Sequence, residues 1–312
     1  MSERFVFTQR LFVSLFLLLA GATTAIAQPI TLTDYRGNAI EFPQGTQSFA
    51  DSILFARVGS PSPVELKVPS AALGLPDWNV PDTQRSNFPN LAYSLGCRGK
   101  LALQFEDNAL IDVEGPDLFV FEVGANVEPA MIYVSNDGTK WESVGRIGGA
   151  FSTVDLADHN LQSRSYRYVM IEDAGGTCTG ITPGADIDAV GAIGSAARLT
   201  LAGEVLFDVG KSDLKPATVN SLAAIAAKLA SENAKLVEVV GHTDSAGSNE
   251  ANFALGSRRA QSVADYLVGQ ETSLRNILSV ASRGETEPTA TNGTQAGRAR
   301  NRRVEITVYF DR

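Results

Sequence analysis

The apolar positions of this 312-residue chain follow two different rhythms. From residue 28 to about 195 they come in short runs such as FVFEV (119–123), AMIYV (130–134) and YRYVMI (166–171). These runs are rich in aromatic and β-branched residues and are separated by Gly, Pro and Asp, with no segment of helical period. The phrase AMIYVS runs into Asn136-Asp137-Gly138-Thr139-Lys140-Trp141, a tight-turn signal that predicts a hairpin of 130–135 and 140–146. Several short strands at this spacing predict an antiparallel β-sandwich. From residue 199 onward the period alternates between two and 3.6. Strands are expected at 199–207, 236–240, 277–281 and 304–310. A helix is expected from Pro216 to about 231, with Val219, Leu222, Ala226 and Leu229 on one stripe that Ile225 widens. A second helix is expected after Ser248 as N-cap, with Glu250 in its first turn and Ala260, Val263, Ala264 and Leu267 as its core face. Residues 284–294 read as a polar loop. A sheet with helices on one side is the natural packing for this half. The small residues of 191–197 mark the junction, so the chain divides into a β-sandwich at 28–193, a linker at 194–198 and an α/β domain at 199–312.

Charge supports the division. Residues 28–195 carry 21 acids against 10 bases, whereas 196–312 carry 13 against 14. The overall charge of −9 excludes a nucleic-acid binder, which needs a basic face. The N-terminus reads as a secretory signal over residues 1–27. Arg4 and Arg10 precede an apolar run, and Ala25-Ile26-Ala27 fits a cleavage site before Gln28. The competing reading is an uncleaved anchor, but the run falls short of the ~20 apolar residues of a membrane span. No later run approaches a span. Cys97 and Cys178 are the two cysteines, and an even pair in an exported chain is most simply one disulfide.

Catalytic chemistry is sparse. Neither G-x-S-x-G nor H-E-x-x-H occurs. His159, the one histidine of the first half, reads as a surface residue, and Asp112 with Glu114 reads as a solvated face. Gly210-Lys211-Ser212 resembles the end of a phosphate loop, but the required earlier glycine is absent, since position 205 is Val. Asp117, Asp186 and Asp188 offer oxygen ligands suited to a structural Ca²⁺; the alternative is that they cap turns. Trp78, Trp141 and the tyrosines offer sugar-stacking faces or, alternatively, core and rim packing.

Two sets of phrases carry family resemblances. In the first half, GPDLFVFE (115–122), the EPAMIYVSNDGTKW hairpin (128–141), the 155–158 loop, the 166–171 strand and GADIDAV (184–190) resemble the galactose-binding-like jelly-roll modules over about 90–193. That resemblance implies a sandwich that binds carbohydrate or protein and sometimes holds calcium. In the second half, LFDVGKSDLKP (206–216), VEVVGHTDSAG (237–247), NFALGSRRAQSVADYL (252–267), VASRGETEP (280–288) and GRARNRRVEITV (297–308) resemble the OmpA-like peptidoglycan-binding domain over 199–310. This implies a βαβαβ-type α/β fold with an added strand, and non-covalent binding of the diaminopimelate in the peptidoglycan stem peptide.

Diaminopimelate ends in an ammonium beside a carboxylate, which calls for an acceptor-only anion and a planar cation. The family's paired positions fall on Asp244 and Arg259. A bidentate guanidinium would hold the carboxylate, and Asp244 the ammonium. Asn252 also matches a family asparagine and, seven residues before Arg259, shares its helix face. Thr243 and Arg302 complete the candidate site. Gly256 departs from the serine usual in the family. The expected protein is therefore an exported, non-enzymatic, two-domain component of the periplasm, associated with peptidoglycan and the outer membrane. Its first half would present a surface to glycan or to an envelope protein. The alternatives are a glycan-active enzyme localised to the wall, or a structural part of a secretion or stator complex.

Overall fold

A computed structural model describes residues 28–34, 37–77, 91–123, 127–149, 152–157, 159, 161, 165–176, 178–231 and 234–309. The expected signal segment and Trp78 lie outside the described residues. No helix among those described is long and apolar enough to cross a membrane.

Beside the small antiparallel pair Ile30–Thr33 and Ala39–Phe42, the first half builds two larger antiparallel sheets. One has the spatial order Ser52–Arg57, Lys100–Gln104, Tyr168–Asp173, Val127–Ser135, Glu142–Gly149. The other runs Thr153–Val154, Leu118–Glu122, Asp186–Ala192, Tyr93–Ser94. Alternation along the strands sends every second side chain inward, with a bulge between Ile187 and Ala189 shifting the phase in Asp186–Ala192. Leu101, Leu103, Ile132, Val134, Val169 and Ile171 of the first sheet thereby share one core with Leu118, Val120, Ile187 and Val190 of the second. The hairpin turn forms where Asp137 Oδ1 accepts from the backbone N–H of Thr139 and Lys140 at 2.8 and 2.7 Å, with Gly138 at φ 69°. Cys97 and Cys178 are joined in a disulfide across a sequence separation of 81.

The second half follows its expected period. Its helices Val219–Ser231 and Asn249–Gln270 pack on one face of a sheet, where Leu222, Ala226, Leu229, Ala260, Val263 and Leu267 meet Val237, Val239, Val304, Ile306 and Val308. Ser248 caps the longer helix by accepting from Ala251 N–H. Val219, expected on the core stripe, sits instead at a helix start and is exposed. The strand expected at 199–207 ends at Ala202, and Gly203–Leu206 is a helical turn. A further short helix, Gln295–Asn301, follows the polar loop.

The largest departure from expectation is the linker. Residues 195–198 begin the strand Ser195–Ala202, which joins the two halves in one six-stranded sheet. Its order is Ser165–Tyr166, Asn108–Ile111, Ser195–Ala202, Arg303–Tyr309, Leu236–His242, Leu278–Gly284. The small residues that read as flexible are there for close packing. A Cβ on Gly194 would fall 2.0 Å from the Ile111 carbonyl oxygen, and Ala196 is fully buried.

Across this junction lies a buried ion cluster. Glu305 Oε1 accepts from Arg167 Nη1 at 3.1 Å and from Arg303 Nε at 2.5 Å, and pairs in charge with Arg198 Nη2 at 2.8 Å. His242 Nε2 stands 3.7 Å from Oε2. Burial opposes ionisation of Glu305, but the guanidiniums of Arg167, Arg198 and Arg303 override it and hold the carboxyl well below the usual range. Burial, aided by Arg303, pushes His242 down to about 4 and keeps it neutral near pH 7.

Two expected outcomes follow from the packing. A Cβ on Gly256 would lie 2.4 Å from Ser282 Oγ and 2.8 Å from the Gly241 carbonyl oxygen. Gly256→Ala should therefore destabilise the chain by about 1–3 kcal/mol in denaturant unfolding, although alanine favours helix by ~1 kcal/mol. Glu122, almost fully buried, accepts from Glu128 and Asp186 N–H, and burial pushes its carboxyl up to about 8. A carboxyl raised on folding contributes fully below its unfolded value and loses that contribution as pH climbs through the folded one. The melting midpoint should fall between about pH 4.5 and 8, and Glu122→Gln should flatten that fall in thermal scans.

Candidate functional site

The strand Leu236–His242 ends in the buried His242, and the chain leaves the sheet at Thr243, whose N–H donates to the Gly284 carbonyl at 2.8 Å. This turn sets Asp244 facing inward with its side chain only 13% exposed. Asp244 Oδ1 accepts from Ala246 N–H at 3.0 Å, closing a local turn. Its Oδ2 accepts from Arg302 Nη1 at 2.7 Å. Arg302 lies just beyond the helix Gln295–Asn301, and its other terminal nitrogen stands 3.9 Å from Glu204.

Arg259 projects from the second long helix toward the same end of the sheet and is 3% exposed. Its guanidinium lies over the Phe207 ring, 5.2 Å from the centroid, and Nε donates to the Lys211 carbonyl at 2.9 Å. Nη1 is buried with no hydrogen-bond partner. Burial lowers the Arg259 pKa and nearby Arg302 lowers it further, while Asp244 acts in the opposite sense. Asp244 and Arg259 form no ion pair with each other among the described residues; the partner of Asp244 is Arg302. Thr243 Oγ1 is likewise buried and unpartnered. Asn252, two turns before Arg259 on the buried face, donates through Nδ2 to Glu285 Oε2.

The five residues expected at this site thus gather at one end of the sheet, around a carboxylate, two guanidiniums, a hydroxyl and an amide. Phe207, Lys211, Glu285, Asn292 and Asn301 also hold it together, although their pattern in the sequence gave no sign of that. Asn301 Oδ1 accepts from Thr289 and Ala290 N–H, and its Nδ2 donates to Asn292 Oδ1. Asn292 Oδ1 in turn accepts from Ser245 N–H, beside Asp244. These residues fall within or beside the motif phrases, but only spatial convergence gives them a role. Gly256 has a similar explanation: the helix carrying Asn252 and Arg259 crosses so close to Gly241 and Ser282 that a side chain would collide with them.

The acids expected to bind calcium do not converge. Asp117 precedes Leu118, which pairs with Ala192, while Asp186 begins the partner strand at its other end. Strand geometry separates the two by about 20 Å. Asp117 instead clamps a loop, its oxygens accepting from Val113 and Leu156 N–H at 2.8 and 2.7 Å. Asp188 accepts from Asp77 N–H at 3.3 Å.

Residues 206–302 match the model of the OmpA family. Among curated relatives, the chain is 39% identical over 110 residues to "Probable lipoprotein YiaD" of Escherichia coli K12, covering 35% of this chain and 50% of that protein. It is 38% identical over 117 residues to outer membrane protein A of Bordetella avium, covering 38% of this chain and 60% of that protein. The chain thus spans only half to three-fifths of these two relatives. It is 40% identical over 124 residues to the peptidoglycan-associated lipoprotein of Pseudomonas putida, covering 39% of this chain and 74% of that protein. With the family's model matched across the site and three-quarters of a relative spanned, this chain belongs to the OmpA family.

Proposed function

We propose that the chain binds peptidoglycan non-covalently in the cell envelope through the site around Asp244 and Arg259. The ligand group is the free end of diaminopimelate in the stem peptide, a carboxylate beside an ammonium. The observation that carries this reading is the buried, unpartnered Arg259 Nη1 beside Asp244. A buried guanidinium donor without an acceptor costs about 1–3 kcal/mol, and a ligand carboxylate would remove that cost with a charge-assisted bond. Asp244 supplies the anion for the ammonium, and Thr243, Asn252 and Arg302 line the rest of the site. The names of the relatives, a peptidoglycan-associated lipoprotein and an outer membrane protein among them, agree with this placement at the wall.

The first half is proposed as a jelly-roll-like sandwich of the galactose-binding-like type that presents a surface to glycan or to an envelope protein. The chain is proposed to act by binding, without catalysis, in the periplasm.

Sedimentation with purified sacculi tests the wall-binding assignment. The parent chain should pellet, and Asp244→Ala and Arg259→Ala should each leave most of the protein in the supernatant, a loss of about tenfold or more in affinity. Both variants pelleting like the parent would sink the assignment.

A further inference from the structure

The charges at the site are unequally satisfied. Two guanidiniums, those of Arg259 and Arg302, act on the carboxylate of Asp244, while the Glu285 carboxylate is engaged by Asn252. Each oxygen of the Asp244 carboxylate already has a partner: Ala246 N–H donates to Oδ1 and Arg302 Nη1 to Oδ2 at 2.7 Å. Glu204, the other acid within reach of Arg302, is 3.9 Å away and largely exposed, so it competes weakly for that guanidinium. Arg259 Nη1 and Thr243 Oγ1, by contrast, are both buried and unpartnered. Arg259 has no freedom to turn away, because its ring contact with Phe207 and its Nε bond to Lys211 fix the plane of the guanidinium.

From this asymmetry we propose that Arg302 is an internal counter-ion for Asp244, standing where the ligand's ammonium would bind. The free site is then a carboxylate receptor first and an ammonium receptor second. The inference rests on the peptidoglycan reading above and refines it. A ligand carboxylate satisfies donors that have no other partner. A ligand ammonium replaces or shares an existing charge-assisted hydrogen bond, so it gains only the difference between two similar interactions. Arg302 therefore sets how strongly the site discriminates between ligands that carry both charges and ligands that carry one.

Isothermal titration of the purified chain with three synthetic peptides separates the two ideas. The reference is L-Ala-γ-D-Glu-meso-diaminopimelate. One analogue carries L-lysine in the last position and so keeps the ammonium but lacks the neighbouring carboxylate. The other carries 2-aminopimelate and keeps the carboxylate but lacks the ammonium. The lysine peptide should bind about tenfold or more weakly than the reference, and the aminopimelate peptide only about threefold more weakly. Arg302→Gln should release Asp244 and raise the aminopimelate penalty toward tenfold, while Arg302→Lys, which keeps the positive charge, should preserve the parent pattern. Equal penalties for the two analogues on the parent chain would overturn the inference, as would an Arg302→Gln variant whose ratio does not move. In either case binding of the reference peptide would still stand. If the reference peptide itself fails to bind the parent chain, the peptidoglycan reading falls and this inference with it.

Discussion

Glu305 is the group on which the two halves of the chain depend. Along its strand Val304, Ile306 and Val308 face the helices, while Arg303, Glu305 and Thr307 face the other way and are also buried. A sheet face carrying charges is ordinarily wet. Here the first half covers it, bringing in Arg167 from the segment between Tyr166 and Tyr168, with Arg198 joining from the strand that links the halves. Three guanidiniums around one carboxylate leave excess positive charge, which backbone carbonyls partly answer. Arg303 donates to the carbonyls of Asn301 and Glu287, and Arg198 to that of Phe105. His242, kept neutral by burial, adds no further charge. Such a cluster is costly to desolvate and costlier to break, since any unpaired member would be a buried charge.

The same cluster stands directly behind the candidate site. His242 immediately precedes Thr243 and Asp244, and Arg303 immediately follows Arg302. Two of the three backbone segments that deliver the site's charges therefore stand against Glu305. A site residue is held well only when its own neighbours are held, and here the neighbours are buried. Asn301 and Asn292 brace the loops from the other side through hydrogen bonds to backbone groups.

Much of this was legible in the sequence, and what was not has identifiable causes. The alternation of Val304, Ile306 and Val308 and the stripe Ala260, Val263 and Leu267 announce their buried faces, because one hydrophobic core imposes each pattern. Asp244, Arg259 and Asn252 are legible as candidates through the family resemblance of their phrases, and strand end, loop and helix place them within a short stretch of chain. The pairing of Asp244 with Arg302 was hidden, since 58 residues separate them and either arginine satisfies the same charge rule. Residues 194–198 misled because Gly, Ser and Ala serve equally for flexibility and for tight strand packing, and only the neighbouring Ile111 carbonyl decides between them. Asp117 and Asp186 misled in another way. They lie close to the turn phrases of one motif, but an antiparallel pair carries them to opposite ends.

The sheet register also sets where the two halves stand relative to a ligand. At one end of the shared sheet Ala202 pairs with Arg303, and Arg303 with His242; this is the end that carries Asp244 and Arg302. At the other end Ser195, Ala196 and Ala197 pair with Leu110, Ala109 and Asn108 of the first half. Five residues of strand separate Ala197 from Ala202, about 17 Å. Among the described residues, strand pairing from the first half onto Ser195–Ala202 thus falls at the end away from the site. A flexible linker would have let the first half swing across that opening. A continuous strand, pinned at its middle by Arg198 against Glu305, holds it at a fixed distance. On the proposed reading, a chain bound to the wall would project its first half away from the mesh in a defined orientation, which suits a module whose task is to meet a second partner.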